Sequence, residues 1–373
     1  MIYLDYSANT PVDPAVLEAF CKAEQTYIAN PNATHCAGRA ACAEMARVTE
    51  RIAGLLGVDP AGVIYTSGAS ESNNLAVKGI AQAAPHMGRH LISTPLEHPS
   101  VGGALTALQR QGYEVDLLDV RRDGTVDTEH LRALLREDTV LVSVCAVDSE
   151  LGVVQPIGEI AGILKTFPHC RLHVDATQAV GKTALAIGDA DAVSIAPHKF
   201  YGLNGSGLLL KKKSLILEPQ IHGGSSTTLY RSGTPTLALA VSAEKALELA
   251  LTQQGERVSY VRELNRYLRT ALLRYTAVRI NSPEEGVPHI LNLSVRGVKG
   301  TVFQRALSER GVCVSVKSAC STDGTPSKAV FAVSRDRKNA LSSWRISLSH
   351  LTTRAELDAF LQMFDQCYRQ LAP

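Results

Sequence analysis

The stretch DAVSIAPHKFYGLNGSGLLL, residues 191–210, constrains the fold more than any other part of the chain. Its first apolar run, residues 192–196, predicts a buried β-strand that ends at a Pro-His-Lys turn. Three glycines then allow a tight turn before a second apolar strand. The pattern places Lys199 at the tip of a buried strand, where burial would lower the pKa of its amine and favour a nucleophile. The same residues alone are also compatible with a surface lysine in a hairpin loop.

A second stretch, LHVDATQAVGK, ends another predicted strand with Asp175 and places Gln178 three residues later. An aspartate and a lysine on successive strand ends of an α/β sheet suit pyridoxal phosphate. The lysine holds the aldehyde of this cofactor as a Schiff base, and the carboxylate keeps the pyridine nitrogen protonated. Together, the two stretches favour an enzyme with this cofactor over a lysine in an ordinary hairpin.

Bulk properties exclude several other classes. A chain of 373 residues is long enough for one large domain and a smaller one. The net charge of +2 indicates no nucleic-acid or membrane surface, and no apolar run is long enough to span a bilayer. The cysteines form no C-x-x-C pair, so we expect no metal site. The first twenty residues do not resemble a signal or transit peptide, so we expect a cytoplasmic protein with reduced thiols.

The central stretches HVDATQAVGK and APHKFYGLNGSG resemble the cysteine desulfurases of the NifS and IscS type, which are class V aminotransferases. Further similar motifs follow the family order: LDYSANTP, NPNATHCAG, SGASESNN, EHPS, VDSELGVVQPI, RSGT, SAC and RIS. The likeness runs from Tyr3 to about Leu357. It implies an α/β protein of the PLP-dependent transferase fold type I, with a large domain built on a mainly parallel seven-stranded sheet and a smaller C-terminal α/β domain. We place the large PLP-binding domain at 13–255, and the small domain, which carries the catalytic cysteine loop, at 256–373 with 1–12.

The resemblance also implies a set of cofactor contacts. Lys199 would hold the cofactor, Asp175 the ring nitrogen and Gln178 the ring hydroxyl, while His98 would stack on the ring and move protons. The phosphate would be bound by Ala69, Ser70, His198 and, from the partner subunit of a homodimer, Thr234. From the residues alone, SGASES is equally a helix capping box, His98 a structural histidine, and residues 221–235 a flexible surface loop.

The substrate side follows from the same resemblance. Cys320, in the polar segment SACSTDGTPS, would be the nucleophile that takes sulfur as a persulfide, and Lys317 beside it would lower its thiol pKa. A bare loop cysteine is otherwise incidental. Arg345 would pair with the substrate carboxylate through its planar fork, with Ser149 and Asn30 on the same side.

Three residues depart from the family pattern. Ser149 replaces an asparagine, Ala196 a serine and Lys317 a glycine. The hydroxyl of Ser149 is shorter than a carboxamide, which weakens the substrate-side prediction. The serine replaced by Ala196 contributes to the phosphate site, and losing one such hydrogen bond costs about 0.5–1.5 kcal/mol of cofactor binding.

These features predict a cysteine desulfurase. The enzyme would convert L-cysteine to L-alanine, leave the sulfur on Cys320 and pass it to an acceptor protein, either an iron–sulfur scaffold or a tRNA-thiolation enzyme. Two alternatives remain open. One is a related PLP-dependent lyase or transaminase acting on selenocysteine or cysteine sulfinate, and the other is a catalytically weakened regulatory homologue.

Overall fold

The computed structural model describes residues 1–185, 187–317 and 325–372. The strands, in chain order, are β1 Ile2–Tyr3, β2 Val63–Thr66, β3 His90–Ser93, β4 Glu114–Leu117, β5 Thr139–Cys145, β6 Arg171–Asp175, β7 Ala192–Ile195, β8 Gly207–Lys211, β9 Val278–Ile280, β10 Ile290–Val295, β11 Val312–Cys313 and β12 Ser343–Ser347. The helices are α1 Pro14–Thr26, α2 Cys36–Leu56, α3 Ala69–Ala83, α4 Pro99–Gln109, α5 Thr128–Leu134, α6 Ile157–Leu164, α7 Leu237–Thr252, α8 Gln254–Leu272, α9 Gly300–Ser308, α10 Lys328–Ser334, α11 Arg337–Ser342 and α12 Arg354–Leu371.

The large sheet has seven strands within the described residues, in the order β2-β8-β7-β6-β5-β3-β4. Strands β7, β6, β5, β3 and β4 are parallel, and β8 is antiparallel to both of its neighbours. The predicted mainly parallel seven-stranded sheet is therefore confirmed. Because the parallel strands share one direction, their carboxyl ends meet at one edge, where α/β proteins bind ligands.

Helices cover both faces of this sheet. Alternate residues of β8 enter opposite cores: Leu208 and Leu210 join the cluster that includes α2, α6 and α7, whereas Leu209 joins the cluster of α3 and α4. Strand residues buried on both faces produce the continuous apolar runs that are typical of parallel sheets. The strand ends are therefore held on a rigid three-layer frame.

A second core lies in the C-terminal part of the chain. It is built around the antiparallel sheet β12-β10-β9 and includes stacked Phe303 and Trp344, whose ring centroids are 5.4 Å apart. The N-terminal strand belongs to it, since Leu4 is buried there and β1 pairs in parallel with β11. The placing of residues 1–12 as a whole with the small domain stays a prediction. The boundary between residues 255 and 256, which falls in the first turn of α8, stays a prediction.

Two helix ends follow signals in the local sequence. The Asp13 side chain accepts a hydrogen bond from the Ala15 amide at the start of α1 and precedes Pro14, which suits a first turn. At the end of α2, Gly57 has a left-handed backbone with φ of 67°, which glycine adopts without strain.

Several predicted strands are too long. The residue patterns of 114–120 and 140–147 each predict one continuous strand, yet β4 ends at Leu117 and β5 at Cys145. The residues beyond these ends leave the sheet and form isolated bridges, Val120 with Val126 and Val147 with Val154. Apolar runs continue past the strands because these turns are also buried.

The strand that precedes Lys199 also ends early. It stops at Ile195 rather than Ala196, since Pro197, which has no N–H for the ladder, begins a short 3-10 turn. Among the described residues, no helix is both long and apolar enough to cross a bilayer.

Candidate functional site

Three predicted site residues lie at the carboxyl edge of the parallel strands. Asp175 is the last residue of β6, Lys199 ends the turn after β7, and His98 stands immediately before α4, which follows β3. Asp175 raises the pKa of His98 and Lys199 lowers it, so both charges act on the imidazole. The structure therefore brings the amine, the carboxylate and the imidazole to one site.

The Lys199 amine is held by the N-terminal segment. Its Nζ donates hydrogen bonds to the carbonyl oxygens of Ser7, at 2.8 Å, and Ala8, at 2.5 Å. The side chain is half-buried. The lysine is thus tied to the N-terminal segment rather than extended from an open hairpin loop, which was the alternative.

The turn around Lys199 is fixed by Thr10. The Thr10 hydroxyl donates to the His198 carbonyl at 3.0 Å and accepts from the Tyr201 amide at 2.8 Å. Tyr201 has a φ of 70°, a left-handed conformation that a non-glycine residue keeps only where its surroundings enforce it. Backbone constraint on both sides therefore sets the direction of the lysine.

Asp175 is a buried carboxylate with neutral partners. Its Oδ2 accepts from Asn73 Nδ2 at 2.8 Å and its Oδ1 from the Thr177 amide at 3.0 Å. No salt bridge reaches Asp175 from the part of the chain that the structure describes. A buried carboxylate needs a compensating donor or charge. A protonated ring nitrogen would supply both.

His98 has a structural contact as well as a place at the site. Its Nδ1 accepts from the Ser100 amide at 3.2 Å and so caps α4. Burial lowers the pKa of His98, which favours a neutral ring. The structural alternative and the site prediction therefore both apply to this residue.

The start of α3 has backbone amides of the kind that bind an anion. Its N-cap residue, Gly68, has no side chain to satisfy the helix amides, which belong to Ala69, Ser70 and their successors. Gly207 is required beside it, because a Cβ there would lie 2.5 Å from the Gly68 carbonyl carbon. The Glu71 carboxylate accepts from the Ser67 amide at 2.8 Å, which is only half of the capping-box alternative.

An ion pair holds the glycine- and serine-rich loop next to this helix start. Arg231 Nε donates to Glu71 Oε1 at 2.9 Å. The loop is therefore anchored at Arg231, whereas the side chain of Thr234 is exposed beside a cavity that Ser67 also lines.

His198 is half-buried, next to Lys199. Burial, with Lys199 and Lys182 nearby, lowers its pKa to about 4. The ring is neutral at pH 7 and can donate one N–H to an anion. Ala196, which replaces the family serine, is fully buried.

Arg345 is buried, and both of its Nη atoms form hydrogen bonds within the protein. It is 2% exposed, with Nη2 2.9 Å from Asp5 Oδ1 and Nη1 2.6 Å from the Ser149 carbonyl oxygen. The contact with Ser149 uses the backbone, so replacing asparagine there leaves it intact. Nε has no partner in the described part of the chain. Asn30 is exposed, and its Oδ1 accepts from the Asn32 amide in its own loop, so its substrate-side role stays a prediction.

Cys320 lies outside the described residues. The residues that flank its segment are tied to the Arg345 network, since Ser315 Oγ donates to Asp5 Oδ2 at 2.7 Å. On the other flank, Ser327 Oγ donates to Glu150 Oε2 at 2.5 Å. Cys313 is half-buried in β11.

Sequence reasoning missed three residues of this site. Asn73 binds Asp175, Asp5 binds Arg345, and Lys182 Nζ donates to Gln178 Oε1 at 2.6 Å. All three stand inside motifs that were recognised, SGASESNN, LDYSANTP and HVDATQAVGK, so motif membership was the available signal. No cluster of three or more side chains suited to a metal ion occurs among the described residues.

Comparison with known proteins agrees with this geometry. Residues 2–360 match the family Aminotransferase class-V. The cysteine desulfurase IscS of Dechloromonas aromatica is 37% identical over 388 residues, which cover 100% of this chain and 94% of that protein. Among solved structures, a NifS-like protein has a TM-score of 0.92 and 32% identity, covering 99% of this chain and 100% of that one. SspA in complex with cysteine has a TM-score of 0.81 and 30% identity, covering 95% and 100%. The chain belongs to the class-V aminotransferase family and, within it, to the cysteine desulfurases of the NifS and IscS type.

Proposed function

We propose that the protein is a PLP-dependent cysteine desulfurase that converts L-cysteine to L-alanine and holds the sulfur on Cys320. The observation that carries the proposal is the meeting of Lys199, Asp175 and His98 at one sheet edge. The residues present fit the cofactor, because a buried carboxylate that forms no salt bridge with any described residue lies at the same site as a lysine amine. When bound, pyridoxal phosphate supplies an electron-accepting ring for the substrate α-carbon.

Each cofactor contact has a candidate donor or acceptor. Lys199 would bind the aldehyde and later move the proton of the substrate α-carbon. Asp175 would hold the ring nitrogen in its protonated form, and Gln178 would donate to the ring hydroxyl. The phosphate would lie at the amides of Ala69 and Ser70, with His198 and the partner subunit's Thr234 as further donors.

The sulfur step balances without an added oxidant. The Cys320 thiolate attacks the substrate sulfur, forming an S–S bond while the Cβ–S bond of the substrate breaks. The electron pair of that bond, with a proton, stays on the carbon that becomes the methyl group of alanine. The persulfide sulfur would then pass to an acceptor protein, an iron–sulfur scaffold or a tRNA-thiolation enzyme. The described cysteines are all free, which supports a reducing, cytoplasmic setting.

Arg345→Lys should raise the KM for cysteine by about 10- to 100-fold, because an ammonium cannot reproduce the planar fork of a guanidinium that binds a carboxylate. The visible band of the bound cofactor should not change, since Asp175 and Lys199 remain. Alanine formation against cysteine concentration measures the effect. Arg132→Lys, at an exposed position on α5, is the matched control. Unchanged kinetics in Arg345→Lys would place the substrate carboxylate elsewhere.

A homodimer is also expected, because the resemblance assigns Thr234 to the phosphate of the partner subunit's cofactor, and the Thr234 side chain is exposed in its own subunit. Sedimentation of the cofactor-loaded protein at micromolar concentration should show a dimer. Thr234→Val should weaken cofactor binding by about three- to tenfold through loss of one hydrogen bond. A loaded, active monomer would remove this role from Thr234.

A further inference from the structure

Lys182 ends a chain of hydrogen bonds that runs into the site. Its Nζ donates to Gln178 Oε1 at 2.6 Å, and Gln178 Nε2 donates to the Ser7 carbonyl oxygen at 2.9 Å. The same carbonyl accepts from Lys199 Nζ at 2.8 Å. Gln178 is 6% exposed and Ser7 is 3% exposed, whereas both lysines are half-buried, so the middle of the chain is shielded from water. The two lysines are therefore connected through one amide and one carbonyl.

The chemistry of these groups fixes the direction of the amide. A lysine ammonium only donates, whereas a glutamine side chain has one accepting end and one donating end. Lys182 therefore donates to the amide oxygen of Gln178, and the NH₂ group of Gln178 must point toward Lys199. One of the two amide hydrogens of Gln178 is donated to the Ser7 carbonyl, and the second is left for another acceptor.

No described residue places an opposite charge beside the Lys182 ammonium. No carboxylate forms a salt bridge with it, and the charged groups that act on it are two further cations, Lys199 and Arg345. Burial and these cations lower the pKa of Lys182 to about 7. His198 and His289 also feel its charge, and their pKa values are lowered mainly by burial. An apolar side chain of the same length would avoid the free-energy cost of placing an unpaired charge here. Stability therefore does not account for a lysine at this position.

We propose that Lys182 is a positioning residue that acts through Gln178. It holds the amide with its N–H donors toward Lys199, where they meet the anionic ring hydroxyl of pyridoxal phosphate. Lys182 has this role only if the chain binds the cofactor through Lys199 as proposed above. Without Lys182, Gln178 retains a single contact and is free to rotate away from the ring.

Four variants test this role on full-length apoprotein reloaded with pyridoxal phosphate: Lys182→Met, Lys182→Arg, Gln178→Leu and the double variant Lys182→Met with Gln178→Leu. The readouts are the dissociation constant of the cofactor and the absorption maximum of its visible band. Lys182→Met should weaken binding by about three- to tenfold and shift the band, and Lys182→Arg, which keeps donors, should restore both. If Lys182 acts through Gln178, the double variant should bind no more weakly than Gln178→Leu alone.

Two results would overturn the role of Lys182. One is a Lys182→Met protein that binds and absorbs like the wild type, and the other is a double variant whose loss equals the product of the two single losses. A melting temperature for each variant reports folding, and Lys182→Gln, which is shorter and uncharged, serves if Lys182→Met does not fold. A wild-type protein without a visible band would instead overturn the proposed use of the cofactor, so the two failures are distinguishable.

Discussion

Lys199→Ala should abolish the visible absorption band of the bound cofactor and the release of alanine together. The same amine binds the aldehyde and moves the α-carbon proton, and proton transfer by a positioned side chain alone contributes about 100- to 10,000-fold to a rate. The Lys199 amine is held in place, since the turn from Pro197 to Lys199 is fixed by Thr10 and the amine by the carbonyls of Ser7 and Ala8. Absorption spectra and alanine assays measure both losses.

The matched control for this variant is Lys213→Ala. Lys213 is exposed, 3.8 Å from Asp59, and lies beyond the end of β8. Its removal should leave the spectrum and turnover unchanged. More than trace alanine production by Lys199→Ala would defeat the assignment of the amine.

Cys320→Ser should still bind the cofactor and cysteine, and should still show spectral changes when cysteine is added. It should form no persulfide and release alanine at least about 100-fold more slowly, because a serine hydroxyl is not ionised at neutral pH and the nucleophile toward sulfur is a thiolate. The effect separates cofactor chemistry from sulfur transfer. Stopped-flow absorption and alanine assays on the same sample measure the two parts.

Cys36→Ser is the control, since Cys36 is an exposed thiol at the start of α2. It should behave as wild type in both assays. If Cys320→Ser releases alanine from cysteine at the wild-type rate, a lyase or transaminase that uses Lys199 without a thiol nucleophile becomes the better account.

The sequence predicted those parts of the fold that depend on short-range patterns. The Asp13 cap and the Gly57 C-cap follow from residue chemistry within a few positions of a helix end. The class of the large sheet followed from the resemblance of the motifs to those of the NifS and IscS family. The predicted strand ends were less accurate. Residues such as Val120 and Val147 are apolar because they lie in buried turns, and they are not part of the sheet.

The contacts that build the site could not be predicted from such short-range patterns. Ser7 and Lys199 are 192 positions apart, and Asp5 and Arg345 are 340 apart. Ser149 shows the consequence. Its short hydroxyl predicts a weakened substrate side, which stays a prediction, whereas the contact that the structure shows is made by its backbone carbonyl with Arg345.

The most direct test of the proposed function is mass spectrometry of wild-type protein loaded with pyridoxal phosphate and mixed with cysteine without a reductant. The account predicts one additional sulfur atom on the peptide that contains Cys320, formed in the same amount as alanine. Alanine formed with no added sulfur on that peptide, or with the sulfur on another cysteine, would contradict it.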